Sequence, residues 1–339
     1  MKRLFAYTLC LTLTLGIPAL LGILLSFSTP PSPKMEVVEV IIIPTGARLH
    51  EVTHLLSSKG IIRSQTLFSL LVRCRGVDTK IKSGEYQLTT RMLPNEVLNK
   101  LIRGEQIKYS VTIPEGLNIA EVADLYAKAG MADKDRFIAI STDPHFIASL
   151  RMHEETLEGY LFPDTYKFSR NIGEQNIIRS MVQRFNEVYS EKLKKRAQEL
   201  NLSRREVITL ASLIEKEAAC PQERPLISAV FHNRLKIHMP LQCDPTVIFG
   251  IKNFNGNLTK EDLRMQTPYN TYLISGLPPT PIASPGLDSI KVALYPADVC
   301  YLFFVSKNDG THYFSSTLAE HNQAVNIYQR KNQANNVPE

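Results

Sequence analysis

Between Leu4 and Phe27 the chain carries no charged residue over 24 consecutive positions. As a helix, a run of that length covers the roughly 30 Å of a bilayer's hydrocarbon core. No other stretch restricts the fold as severely. Lys2 and Arg3 precede the run, and the Pro-rich "STPPSPK" (Ser28–Lys34) comes after it. A secretory signal has a shorter apolar core and a small-residue cleavage site, and no good site of that kind occurs before Ser28. The run therefore reads as a retained anchor over residues 4–27. Pro18 inside it is tolerable in a membrane helix. The positive-inside rule places residues 1–3 in the cytoplasm and everything after Phe27 on the other side. Residues 28–36 form a stiff spacer.

A chain of 339 residues can build more than one core. Its 44% hydrophobic and 21% charged content is that of an ordinary globular protein. The net charge of +6 permits an anionic partner without requiring one. Basic residues are scattered, and "KLKKR" (Lys192–Arg196) reads as one solvated helix face, so nucleic acid is not an expected partner. Cys74, Cys220, Cys243 and Cys300 are widely spaced, with no CxxC pair to suggest zinc. Their disulfide state is open, since four cysteines allow three full pairings. His50 and His54 stand four apart on an expected helix, but nothing nearby completes a ligand set. Neither a metal nor a cofactor is expected.

The fold class expected beyond the anchor is α+β. "VVEVIIIP" (Val37–Pro44) is β-branched and reads as a strand. Helices come next through "TGARLHEVTHLLSSKG" and "SQTLFSLLVRC", then a returning strand "GEYQLT" and a helix "PNEVLNKLIRG". This strand–helix–helix–strand subdomain spans 37–108, and a mixed helix and strand domain spans 109–339. "IPTGARLHEVTHLLSSKG" (Ile43–Gly60) aligns without gaps on "IPEGLNIAEVADLYAKAG" (Ile113–Gly130) at an offset of 70. The shared unit is a strand end, a turn that needs glycine, and an amphipathic helix stopped by glycine. The segments after the two copies differ, so one common unit used twice is preferred to a tandem repeat. "EETLEGYLFPDTYKF" reads as a structured loop. Helices are expected near 175–200 and 205–219 and through "PQERPLISAVFHNRLKI". Residues 242–296, dense in Pro, Gly, Asn and Thr, form a long loop of the kind that carries function. "DVCYLFFVSK" and "GTHYFSS" are strands joined at "NDG", and a last helix begins at "TLAEHN".

Two carboxylates, Glu215 and Glu217, end the apolar helix "VITLASLIEKEA". Val207, Leu210, Ala211, Ile214 and Ala218 make its stripe. At 100° per residue the two acids project about 160° apart, one on each flank, so they cannot act together on one atom. A carboxyl at a cleft edge is raised in pKa by desolvation and becomes a usable general acid. Spacing alone favours the plainer reading of two boundary charges.

Six pieces resemble, in order, the endolytic murein transglycosylases, the YceG-like proteins of the bacterial inner membrane. They are "LEGYLFPDTY" (Leu157–Tyr166), "LASLIEKEA" (Leu210–Ala218), "VFHNRL" (Val230–Leu235), "LQCDPTVIFG" (Leu241–Gly250), "YNTYLISGLPPTPIASPG" (Tyr269–Gly286) and "LAEHN" (Leu318–Asn322). The resemblance covers essentially the whole chain, and the anchor fits it. It implies cleavage of the bond between N-acetylmuramic acid and N-acetylglucosamine within peptidoglycan glycan strands, leaving a 1,6-anhydro end without using water. This would terminate strand elongation from the periplasmic face of the inner membrane, with peptidoglycan synthases as further partners. The resemblance makes 37–108 a LysM-like glycan-binding subdomain and 109–339 the catalytic domain. It puts the catalytic acid in the "EKE" segment, on Glu217, because a small residue generally comes after the acid in lytic transglycosylases. That residue is Ala218, where a hydroxyl residue such as Thr is expected, which leaves a helper hydrogen bond in question.

One carboxylate suits such a reaction. Hydrolysing glycosidases usually need two. A transglycosylase has no water to activate, because the substrate's own N-acetyl group or O6 hydroxyl acts as nucleophile. Asp244 and Glu223 are possible second carboxylates. Asp244, before Pro245, reads as a turn former of the cleft loop, and Glu223 as a first-turn helix acid. Gln242, Asp244, Tyr269, Asn270 and Tyr272 are the expected sugar contacts. Two other readings stand beside this one. A non-catalytic glycan-binding scaffold of the wall machinery would not depend on Glu217. A pyridoxal-phosphate lyase would need a cytoplasmic site with a Schiff-base lysine, against which the anchor argues.

Overall fold

The computed structural model describes residues 29–32 and 35–330. The expected anchor at 4–27 lies outside the described residues. No described helix is long and apolar enough to cross a membrane. The fold is α+β: short two-stranded sheets set among helices, in two compact units.

The first unit comprises the chain up to Tyr109 together with Lys167–Asn171. Strand β1 (Val38–Ile43) pairs antiparallel with β2 (Gly84–Thr89), from Val38 opposite Thr89 to Ile43 opposite Gly84. Between them lie helices α1 (Leu49–Ser58) and α2 (Gln65–Cys74), and α3 (Pro94–Arg103) comes after β2. The period-two alternation of β1 buries Ile41 and Ile43 and turns Val38, Val40 and Ile42 to solvent. Leu56, Phe68, Val72, Tyr86, Leu88 and Leu98 fill the core with the two isoleucines. The Tyr86 hydroxyl reaches the Lys82 carbonyl at 2.8 Å, so the buried phenol is satisfied. His50 and His54 are exposed on α1, and no group of three or more potential metal ligands forms among the described residues.

The internal alignment holds at the level of backbone angles. Helix α4 (Ile119–Lys128) is offset from α1 by the same 70 positions. Gly46 and Gly116 have φ of 77° and 79°, and Gly60 and Gly130 have 68° and 67°. Both turns and both helix stops thus use the left-handed region that glycine enters without penalty.

The second unit takes Ser110–Tyr166 and Ile172 onward. Strand β3 (Tyr109–Thr112) pairs with β4 (Thr165–Phe168), neither of which the sequence pattern separates from loop. After α4 come α5 (Lys134–Ser141) and α6 (Pro144–Ser149), each started by an aspartate cap, Asp133 and Asp143. The helix expected over 175–200 is two, α7 (Glu174–Val188) and α8 (Glu191–Glu199), because the chain leaves helical geometry at Tyr189 and restarts at Ser190.

Helix α9 (Arg204–Glu217) is the core of this unit. Ser203 and Glu206 form a capping box at its start. Every residue from Val207 to Ile214 is buried, the polar Thr209 and Ser212 included, so the helix is enclosed on every side and not along one stripe alone. The helix packs against α8, α10 (Arg224–Lys236), α11 (Asp244–Gly250) and α12 (Leu287–Leu294). Buried Ser212 donates to the Thr209 carbonyl at 2.7 Å and accepts from the Ile282 amide at 3.1 Å, which fastens the Pro-rich loop to the helix. The stretch 242–296 is therefore not one loop; α11 and α12 lie within it. Strands β5 (Phe303–Ser306) and β6 (His312–Ser315) pair antiparallel, and α13 (Leu318–Val325) starts on a Thr317 cap.

Candidate active site

Helix α9 ends at Glu217, where Ala218 turns to extended geometry with ψ of 96°. The acid thus stands where the buried core opens into a cleft of about 510 Å³. Glu217, Arg234, Gln242, Asp244, Tyr272 and His312 line that cleft, and β5 and α13 complete its wall. Burial pushes the Glu217 carboxyl up to about 7, helped by the negative Asp244 and opposed by the Cys243 thiol, His312 and Arg234. The carboxylate-disfavouring end of the α9 dipole acts in the same direction as burial. At neutral pH a large share of Glu217 therefore carries the proton that a general acid needs.

The other residues are held by short contacts. Buried Arg234 donates to the Leu302 and Leu241 carbonyls, both at 2.7 Å, so its charge is fixed beside Glu217. The Tyr272 hydroxyl donates to Asp244 at 2.6 Å. Asp244 does not form a turn; it opens α11 beside Pro245. Gln242 sits at φ of 51°, a left-handed conformation uncommon outside glycine, and its amide donates to the Thr271 carbonyl at 3.0 Å. Glu223 is more than a first-turn acid. It accepts the His312 backbone N–H at 2.9 Å and meets the ring Nδ1 at 2.7 Å.

Cys243 is fully buried, and its thiol lies beside Glu217, where it favours the charged form of the carboxyl. Of the four cysteines described, all are free, and only Cys243 is buried.

Two expected sugar contacts lie elsewhere. Asn270 is wholly buried; its amide nitrogen donates to the Leu263 and Met265 carbonyls and its oxygen accepts from the Tyr272 amide. Both ends are used in shaping the loop, so Asn270 positions Tyr272 and does not meet a ligand. Tyr269 faces a second cleft, its hydroxyl 2.9 Å from Thr280 Oγ1.

Glu215 has a different task. Its side chain is only 6% exposed and pairs with Arg224 at 2.8 Å. It also accepts the Gly286 amide at 2.9 Å. A Cβ at Gly286 would displace the Glu115 carboxylate, the free end of a half-exposed side chain. Sequence reasoning missed Arg234, His312 and His321 as cleft residues and Cys243 as a buried neighbour of Glu217. Three of them lie in the motifs "VFHNRL", "LQCDPT" and "LAEHN"; only the neighbourhood of His312 to a carboxylate could have marked it, and that is a tertiary fact.

Residues 41–327 match the model of the YceG-like family. An endolytic murein transglycosylase of Bacillus subtilis (strain 168) is 34% identical over 302 residues, covering 84% of this chain and 83% of that protein. The protein of the same description from Streptococcus pneumoniae (strain ATCC BAA-255 / R6) is 30% identical over 318 residues, covering 84% of this chain and 57% of its own length. Among solved structures, a YceG-like protein of Listeria monocytogenes superposes with a TM-score of 0.59 at 32% identity, covering 84% of this chain and 98% of that one. The chain belongs to the YceG-like family.

Proposed function

We propose that this chain is an endolytic peptidoglycan transglycosylase with Glu217 as its acid. The observation that carries the reading is a single carboxyl raised to about 7 at the mouth of a buried helix, facing a cleft lined with polar side chains. Glu217 gives its proton to the glycosidic oxygen as the bond to C1 of the muramic sugar breaks, and the amino sugar leaves with a free hydroxyl. The muramic O6 then bonds to C1, and its proton passes to the Glu217 carboxylate. The acid is regenerated, a 1,6-anhydro ring closes, and no water is consumed. Asp244 lies close enough to Glu217 to raise its pKa, and it stands ready to stabilise the cationic sugar between the two steps. The names of the B. subtilis and S. pneumoniae relatives support the same substrate.

The remaining parts of the reading rest on the sequence. Residues 4–27 tether the protein to the inner membrane with the domain on the periplasmic side, where it meets nascent strands and their synthases. The 37–108 subdomain serves as a LysM-like glycan-binding module. Digestion of purified peptidoglycan, with mass spectrometry of the products, tests the activity: anhydro-ended fragments are expected, and their absence would leave a glycan-binding scaffold. A reporter fused after Glu339 should behave as periplasmic, and the mature protein should retain residues 4–27.

A further inference from the structure

A second cleft, of about 670 Å³, lies in the same unit and has no part in the proton transfers. Its apolar wall is Ile138, Ile248, Phe249, Phe254 and Tyr269. The rings of Phe249 and Tyr269 meet edge to face, 4.9 Å apart, and the Tyr269–Thr280 bond fixes the phenol. Glu158, only 6% exposed, also lines the cleft. Both its oxygens lie 3.2 Å from the Ile119 amide. Burial pushes this carboxyl up to about 8, so it is a neutral acid with a proton to donate. A largely apolar cleft with a few polar groups, one of them of perturbed pKa, is a usual form of a ligand site.

The two clefts share their partition. Helix α11 carries Asp244 at its start, in the first cleft, and Ile248 and Phe249 near its end, in the second. The loop after it does the same with Tyr272 and Tyr269. Asp244 and Phe249 stand five residues apart, about 7.5 Å along the helix axis, more than one sugar ring and less than a pair. From this geometry we infer that the second cleft is a distal subsite that holds an N-acetylated sugar of the same glycan strand. The C–H face of the ring lies on Phe249 and Tyr269, the acetamido methyl enters the apolar wall, and the acetamido oxygen accepts from Glu158. The inference rests on the glycan-cleaving reading of the first cleft and adds a way to engage a strand away from its scissile bond.

Two measurements test it. The chain has no tryptophan, so Phe254→Trp places a sole indole in the second cleft. Titration with glycan oligomers stripped of their stem peptides should change its fluorescence saturably, whether or not the protein cleaves them. No change would overturn the subsite even if anhydro products form. Conversely, saturable binding without anhydro products would sink the proposed activity and leave the sugar site standing. The second measurement uses Thr142→Tyr, which crowds the cleft from its exposed rim. It should raise KM for long stripped strands about tenfold with kcat retained, the mark of lost binding common to ground and transition states. An equal effect on tetrasaccharides, or none on long strands, would refute a distal subsite. A loss confined to strands that keep their peptides would assign the cleft to the stem peptide instead.

Discussion

Glu223 holds His312 at two points, the backbone N–H at 2.9 Å and the ring Nδ1 at 2.7 Å. The contact joins the turn after helix α9 to strand β6, 89 residues later, and so closes one side of the first cleft. Both side chains are nearly buried, at 13% and 12% exposure. Leaving the backbone N–H and ring of His312 without their acceptor typically costs ~1–3 kcal/mol. Glu223→Ala should therefore lower the unfolding temperature by several degrees and also reduce glycan cleavage. Glu223→Gln, which keeps an acceptor for the backbone N–H, should do less on both counts. Thermal unfolding alongside the anhydro-product assay checks this; wild-type behaviour of Glu223→Ala in both would show the contact to be idle.

With Glu217 as the proposed acid, its acidity sets the expected pH profile. Only its protonated form can donate, so the rate should fall on the alkaline side with a midpoint near 7. The Cys243 thiol favours the charged form, and Cys243→Ala should move that midpoint upward, with Cys243→Ser restoring it. Glu217→Gln should lose at least ~10²–10⁴ in rate. An alkaline limb that stays in place in Cys243→Ala would remove the thiol from the mechanism.

The chain's local grammar was readable where period and punctuation coincide. The β1 alternation, the Ser203 cap and the glycine-stopped helices at 49–58 and 119–128 are written in a few adjacent residues. Glu217 was reachable only as one of two acids, because helix geometry gives direction but not what faces it. What separates the pair is tertiary: Arg224 and Gly286 arrive at Glu215, while Cys243 and Asp244 arrive at Glu217. Asn270 misled for the same reason. An amide that bonds sugars and one that bonds loop carbonyls have the same sequence signature. Strands β3 and β4, four residues each, are too short to show a period, and α11 is hidden by its proline, which is in fact a first-turn helix residue.

Sequence spacing alone makes Glu215 a dispensable flank residue; its surroundings say otherwise. Glu215→Gln would leave Arg224, itself 13% exposed, with only the more distant Glu115 at 3.7 Å. The expected result is a loss of ~3–5 kcal/mol in stability, with residual cleavage by whatever fraction stays folded. Glu217→Gln, by contrast, should abolish cleavage without destabilising the fold, since it replaces a carboxyl whose charged form burial already disfavours. Denaturant titration of the two variants distinguishes them, and a Glu215→Gln protein as stable as wild type would deny the ion pair its structural role.

Glu158 makes stability depend on pH in the opposite sense to a salt-bridged acid. Its carboxyl rises from 4.5 to about 8 on folding, chiefly through burial, with Glu121 adding to the rise. Between those values the native protein binds a proton that the unfolded chain releases. The stabilisation is thus complete below about 4.5 and is lost as pH climbs through about 8, at roughly 1.4 kcal/mol per pH unit. Glu217 contributes in the same sense up to about 7, so the informative quantity is the difference between wild type and Glu158→Gln, in which Glu217 cancels. Glu158→Gln cannot ionise, and between about pH 5 and pH 8 it should gain on wild type by up to ~4 kcal/mol. Urea unfolding at the two pH values measures the gap. A gap that does not change with pH would mean that Glu158 is already ionised in the folded protein, and the second cleft would then hold a charge where a neutral donor is required.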